Sequence, residues 1–318
     1  MESEASEAEI KYHEEYVRNS RGMKLFASRW VPLNENPKAL IFICHGYAME
    51  CSITMNSTAT RLAKAGFAVF GIDYEGHGKS EGIPGLVMNF DDVIDDCFKH
   101  FTTICEKVEN RKKMRYLMGE SMGGAVALLL HRKKPDYWDG AILVAPMCKI
   151  AEEMKPNALM INVLSALSKV IPSWKIVPGP DVIDSAFKVP KVREEIRANQ
   201  YCYKGKPRLR TAFELLRVST EIEQRLHEVS LPFLVLHGEE DQVTDKAISK
   251  QLYDVAASSD KTLKLYPKMW HGLLYGEPPE NLQIVFSDIL AWLDQQAHYG
   301  NTRLERELKT EHEHLVKV

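Results

Sequence analysis

The pentapeptide Gly119-Glu120-Ser121-Met122-Gly123 holds a hydroxyl between two glycines. An apolar run at 114–118 precedes it and a small-residue run at 125–130 follows, which predicts a turn from strand to helix. Such a turn leaves no room for a side chain at either flank. Glycines there let the chain hold the serine in a strained conformation, with Oγ projecting above the sheet edge. A hydroxyl presented this way is a nucleophile once a base can take its proton.

The chain has 11 histidines, and position selects among them. His271 follows the apolar segment 262–266 and precedes the last long helical pattern, so it falls in a loop at the strand-end edge where Ser121 sits. His100 and His131 fall on helical segments and are expected at the surface. His237 closes a strand and is expected to pack or orient. The third group must accept a hydrogen bond from the far ring nitrogen. Asp241, four residues past His237, leaves the same edge; Glu239, Glu240 and Asp245 are its neighbours and competitors. The order Ser121, Asp241, His271 is that of the α/β hydrolases. Charge on the substrate oxygen calls for fixed backbone donors. The amides of Met122 and of Tyr47, in His45-Gly46-Tyr47 after the apolar run 39–44, are the expected pair, with His45 and Gly46 shaping the turn. The Tyr47 hydroxyl either enters the pocket or packs. The second glycine-rich stretch, 73–80, lacks the spacing of a phosphate loop and is expected to be structural.

The elements that must carry these groups alternate. A hairpin is predicted at 14–19 and 23–31, and strands at 39–44, 68–72, 115–118, 141–145, 233–237 and 262–266. Helices are predicted at 58–65, 87–108, 122–132, 245–257 and 282–296. Continuous apolar strands alternating with helices imply a mostly parallel central sheet with helices on both faces. Between 147 and 230 the alternation stops for longer than any loop would need. This segment is expected to be an inserted helical cap, with helices at 158–170, near 189–199 and at 211–218. The domain reading is a disordered tail at 1–13, a core at 14–146 and 231–298, the cap at 147–230, and a charged tail at 299–318.

Of 318 residues, 45% are hydrophobic and 9% aromatic, enough for a full core, and the net charge of −3 offers nothing to nucleic acid. The acidic start does not resemble a secretory signal, and no apolar run approaches the ~20 residues of a membrane span. Six scattered cysteines lack C-x-x-C spacing. They read as free thiols in a cytoplasmic protein rather than as a zinc site, so no metal and no cofactor is expected.

These motifs resemble the monoglyceride lipase branch of the α/β-hydrolase superfamily, and most closely the plant monoacylglycerol lipase and caffeoylshikimate esterase-like group. The resemblance covers about 12–298. It rests on His45-Gly46-Tyr47, the 73–82 segment, Gly119 to Gly124, His237 to Asp241, the cap stretches 203–208 and 211–217, and the run around His271 and Gly276-Glu277-Pro278. Animal members usually carry a small residue where Tyr47 stands. The resemblance implies an α/β-hydrolase fold and the triad and oxyanion amides already named. It further implies hydrolysis of a small-molecule carboxylic ester: a monoacylglycerol first, a hydroxycinnamoyl ester such as caffeoylshikimate second. Leu159, Met160, Val163 and Leu164 of the apolar cap stretch are expected to wall the acyl site. The same stretch could rest peripherally on a membrane, although a lid explains the same residues. An acyltransferase and a ligand receptor on the same fold are the rivals; nothing in the sequence fixes the oligomeric state.

Overall fold

The computed structural model describes residues 9–33, 36–148, 158–175 and 181–298. The strands are β1 (Ile10–Arg18), β2 (Lys24–Pro32), β3 (Ala39–Cys44), β4 (Ala68–Ile72), β5 (Met114–Glu120), β6 (Gly140–Val144), β7 (Phe233–Gly238) and β8 (Lys261–Tyr266). The helices are α1 (Asn56–Lys64), α2 (Phe90–Cys105), α3 (Met122–Lys133), α4 (Ala158–Val170), α5 (Val182–Ala186), α6 (Pro190–Ala198), α7 (Leu209–Gln224), α8 (Lys246–Val255) and α9 (Pro279–His298). Among the described residues the strands form one sheet in the order β1-β2-β4-β3-β5-β6-β7-β8. β1 and β2 pair antiparallel with their neighbours; every other pairing is parallel.

The continuous apolar strands are explained by burial on both faces. In β3, Leu40, Phe42 and Cys44 point into a core shared with α2, α3, α7 and α8, while Ala39, Ile41 and Ile43 point into a second core under α1 and α9. β7 divides the same way, with Phe233 and Val235 on one side and Leu234 and Leu236 on the other. From β3 the chain crosses to β4 on one side and then to β5 on the other. Reversals of this kind open a crevice at the carboxyl ends of the strands. The loops after β3, β5, β7 and β8 all leave from that edge.

Three expectations need correction. The first strand begins at Ile10, inside the segment expected to be a tail, and pairs residue for residue with β2 from Ile10↔Pro32 to Arg18↔Lys24. It is an edge strand exposed along most of its length, and its pairing with β2 extends it N-terminal of the strand expected to begin at 14. His131 is 2% exposed rather than at the surface, and its Nε2 accepts the Ser230 N–H at 3.1 Å. Lastly, the inserted segment is not all cap. Val218 and Ile222 of α7 join the core beside α2 and α3, and buried Glu214 accepts the Phe90 N–H at the start of α2 at 2.9 Å. The tail readings for 1–8 and 299–318 lie outside the described residues.

Candidate active site

Ser121 sits between β5 and α3 at φ 54° and ψ −119°, a left-handed conformation that costs a non-glycine residue about 1–3 kcal/mol. Three backbone hydrogen bonds hold it there. Ser121 N–H donates to Val144 O, and Ser121 O accepts from Gly124 and Met147, each at 2.9 Å. At about 1 kcal/mol apiece these offset the strain. The flanking glycines serve close approach. A Cβ on Gly123 would lie 1.9 Å from Cys44 O, and one on Gly119 would lie 2.1 Å from Gly123 O.

His271 follows β8 and Asp241 follows β7, and the structure brings them together: Nδ1 lies 2.7 Å from Oδ2. Their side chains are 7% and 1% exposed. Asp241 is fixed before it meets the histidine. Its Oδ1 accepts from Val243 N–H at 2.7 Å and Thr244 N–H at 3.0 Å, and its Oδ2 from Thr244 Oγ1 at 2.9 Å. Buried His237 Nε2 lies 3.0 Å from Thr244 O and 3.1 Å from Asp241 Oδ2. Both are acceptors, so this nitrogen carries the proton, and Nδ1 accepts from Ser249 Oγ at 2.7 Å. His237 thus orients the acid, in keeping with its expected role. The competing carboxylates do other things: Glu239 and Glu240 are exposed, and Asp245 caps α8 at Ala247 N–H.

Burial pushes the Asp241 carboxyl up, but the charge of His271 and hydrogen bonds from His237 and His271 outweigh it, holding it well below the usual carboxylate range. Burial likewise pulls His271 down, and the Asp241 carboxylate more than reverses this, raising the imidazole above its ordinary value. Only neutral imidazole can take a proton, so the shift moves loss of activity to higher pH. The acid limb of kcat/KM is expected to inflect above the ordinary ~6.5 and fall about tenfold per pH unit below it. A pH–rate profile with an inflection below about 6 would contradict this.

Glu120 was not singled out as a chemical group in the sequence, although it stands inside the serine motif. It is buried, Oε2 accepts the Tyr275 hydroxyl at 3.0 Å, and Oε1 has no partner among the described residues. Burial pushes its carboxyl up to about 7 while the nearby His271 charge pulls it down. Tyr275, four residues past His271, makes the hydroxyl contact with Glu120, so the loop carrying His271 meets the serine turn. Ser121 Oγ and His271 make no hydrogen bond in this conformation; catalytic hydrogen bonds commonly tighten only around substrate.

The loop after β3 passes alongside the serine, where a Cβ on Gly46 would lie 3.7 Å from Ser121 Cβ. His45 shapes the turn. Its Nδ1–H donates to Gly46 O at 2.8 Å, Nε2 accepts Tyr74 N–H at 3.3 Å, and its ring stacks on Tyr74 at 3.9 Å. Burial pushes it down to about 3, so it stays neutral. Among the described residues neither the Tyr47 nor the Met122 N–H donates to a protein acceptor, leaving both able to hold an anion. The Tyr47 hydroxyl packs away, donating to Gly85 O at 3.0 Å. The 73–80 segment is a structural turn: Asp73 accepts from Cys51 and Lys79 amides, and Ser80 Oγ donates to Asp73 O.

Of the four residues expected to wall the acyl site, all lie on α4, whose bounds match those read from the sequence. Val163 is 49% exposed and Leu164 half-buried; the side chains of Leu159 and Met160 lie outside the described residues. The six cysteines are buried and form no disulfide with one another. Among the described residues no cluster suited to a metal ion occurs, and no helix is long and apolar enough to cross a membrane.

Residues 35–279 match the family described as serine aminopeptidase, S33. The chain is 34% identical over 298 residues to the caffeoylshikimate esterase of Arabidopsis thaliana, covering 91% of this chain and 90% of that one. It is 32% identical over 293 residues to the monoglyceride lipase of Homo sapiens, covering 90% and 92%. A solved monoglyceride lipase from Saccharomyces cerevisiae, bound to a substrate analogue, superposes with a TM-score of 0.76. Its sequence is 20% identical, and the match covers 91% of this chain and 95% of that one.

Proposed function

Because the chain belongs to the serine aminopeptidase S33 family of α/β hydrolases and is a serine hydrolase of carboxylic esters, we propose that Ser121, His271 and Asp241 are its catalytic triad and that monoacylglycerol is its substrate. The observation that carries the triad is the 2.7 Å contact of Asp241 with His271 at the edge from which the strained serine turn rises. His271 takes the Ser121 proton as Oγ attacks the ester carbonyl, and the Tyr47 and Met122 amides hold the oxyanion. Protonated His271 then gives its proton to the departing alcohol. Water repeats the sequence on the acyl-enzyme, releasing fatty acid and free enzyme.

The choice of a fatty-acyl monoester rests on the apolar character of α4, whose Leu159, Met160, Val163 and Leu164 would wall a long chain. A hydroxycinnamoyl ester is the second reading, favoured by the 34% identity to a caffeoylshikimate esterase. Parallel hydrolysis of 2-oleoylglycerol and caffeoylshikimate separates them. The account expects the higher kcat/KM on the glycerol ester; preference for the shikimate ester would replace the first reading with the second.

Val163, Leu167 and Val170, at helical spacing on α4, are 49%, 39% and 78% exposed, and Trp174 just beyond is 55% exposed. We assign this stripe to a lipid surface from which the substrate is collected. Co-sedimentation with phosphatidylcholine vesicles is expected for the parent protein and lost in Val170→Glu. Equal sedimentation of both would exclude this stripe as the contact. We further propose an intracellular location, consistent with six buried cysteines that form no disulfide with one another.

A further inference from the structure

Behind the proposed triad lies a small apolar core separate from the two that sandwich the sheet. It contains Met49, Ile183, Ala186, Phe187, Ile196 and Cys202, with Val192, Val243 and Tyr275 packed against it. Met49 belongs to the oxyanion loop, Val243 to the Asp241 loop and Tyr275 to the His271 loop. The remainder come from α5, α6 and the turn that follows. Three loops that the chemistry must keep in register therefore meet on one cap segment.

Hydrogen bonds fasten that segment at both ends. At one end Ala186 O accepts the Gly272 N–H at 2.9 Å, and Gly276 O accepts the Lys188 and Val189 N–H groups at 3.0 and 3.1 Å. The Phe187 ring lies 5.4 Å from the Tyr275 ring and fills the space that a Cβ on Gly272 or Gly276 would need. Tyr275 in turn donates its hydroxyl to Glu120, beside the serine. At the other end Tyr203 N–H donates to Ala48 O at 3.0 Å. Asn199 Nδ2 donates to buried Glu50 Oε1 at 3.1 Å, and Glu50 also gathers the amides of Ser52, Ile53 and Thr54.

We propose that residues 181–203 act as a positioning brace, setting the oxyanion loop against the histidine loop, with Phe187 and Asn199 as its two anchor points. The inference rests on the reading of Ser121 as nucleophile and goes beyond a cap that merely covers the pocket. A cover needs no fastening to both loops. A brace does, because displacement of an oxyanion donor by about 1 Å costs on the order of a hundredfold in rate.

The test uses p-nitrophenyl acetate, whose short acyl group needs no cap pocket, with kcat counted per Ser121 titrated by a fluorophosphonate so that only folded sites contribute. Asn199→Ala and Phe187→Leu are each expected to lower kcat about tenfold with KM within about twofold. The double variant is expected to fall well short of the product of the single effects, since either change already releases the brace. Asn199→Asp keeps the acceptor for Tyr201 N–H but turns a carboxylate toward Glu50, and is expected to lose as much as Asn199→Ala. Unchanged kcat on the acetate, with KM alone rising on 2-oleoylglycerol, would reduce the segment to a pocket wall. Losses that multiply in the double variant would make the anchors independent, overturning the brace. A parent protein that does not label at Ser121 would instead sink the reading on which the inference rests.

Discussion

Ser121→Ala is expected to lower kcat on the preferred ester by about 10⁴- to 10⁶-fold, or about 5–8 kcal/mol of transition-state stabilisation. KM should change little. The substitution deletes one oxygen and keeps the Cβ, so the positive φ at this position is no more strained than before. The three backbone bonds that hold the turn involve main-chain atoms only. Fold and ligand binding should therefore survive, and thermal unfolding is expected within about 1 kcal/mol of the parent. The measurement is steady-state hydrolysis of 2-oleoylglycerol beside a melting curve. A folded alanine variant keeping more than about 1% of parental kcat would show that another group attacks the ester.

Asp241→Asn tests the acid through tautomer control rather than through charge alone. The Val243 and Thr244 amides both donate to Oδ1, so an asparagine is compelled to keep its carbonyl oxygen there. Its NH₂ then occupies the Oδ2 position, facing His271 Nδ1 and the proton on His237 Nε2. His271 can satisfy that donor only by presenting bare Nδ1, which leaves the proton on Nε2, where the Ser121 proton must go. The wrong tautomer is locked in. Loss of about 10⁴ in kcat, near 5 kcal/mol, is expected, and the buried donor pair at His237 should also cost about 1–3 kcal/mol in stability. Stopped-flow acylation and a denaturation curve read the two effects separately. Acylation within about tenfold of the parent would mean that Asp241 is not the orienting acid.

Much of this arrangement was legible because its signals are local. Strands buried on both faces are unbroken apolar runs, so β3 and β4 could be bounded to the residue. Once the strand ends were known, the loops holding Ser121, Asp241 and His271 followed from chain position. The serine turn was readable because steric need leaves a mark in composition: no residue with a side chain fits at Gly119 or Gly123.

What was not legible depends on partners distant in sequence. Residues 10–13 of β1 continue the pairing with β2 beyond the strand expected at 14–19, and nothing local marks that extension. His131 is buried because α7 and the turn after it close over α3, and nothing near residue 131 reports this. α5 is five residues long, too short for a periodic signal. Glu120 and Tyr275 stand 155 positions apart, and the core of Met49, Phe187, Val243 and Tyr275 draws on four segments that alternate with unrelated ones. Thr244 had a signal available, since a threonine three residues past an aspartate closes a local side-chain turn on it.

The central claim is that Ser121 is activated by His271, and the most direct measurement is the rate and site of covalent labelling by a fluorophosphonate, read by mass spectrometry of the digested protein. The account predicts a single adduct on Ser121 in the parent, and labelling slowed by about a thousandfold or more in His271→Ala with the fold intact. An adduct on another residue, or equal labelling rates in the parent and His271→Ala, would contradict it.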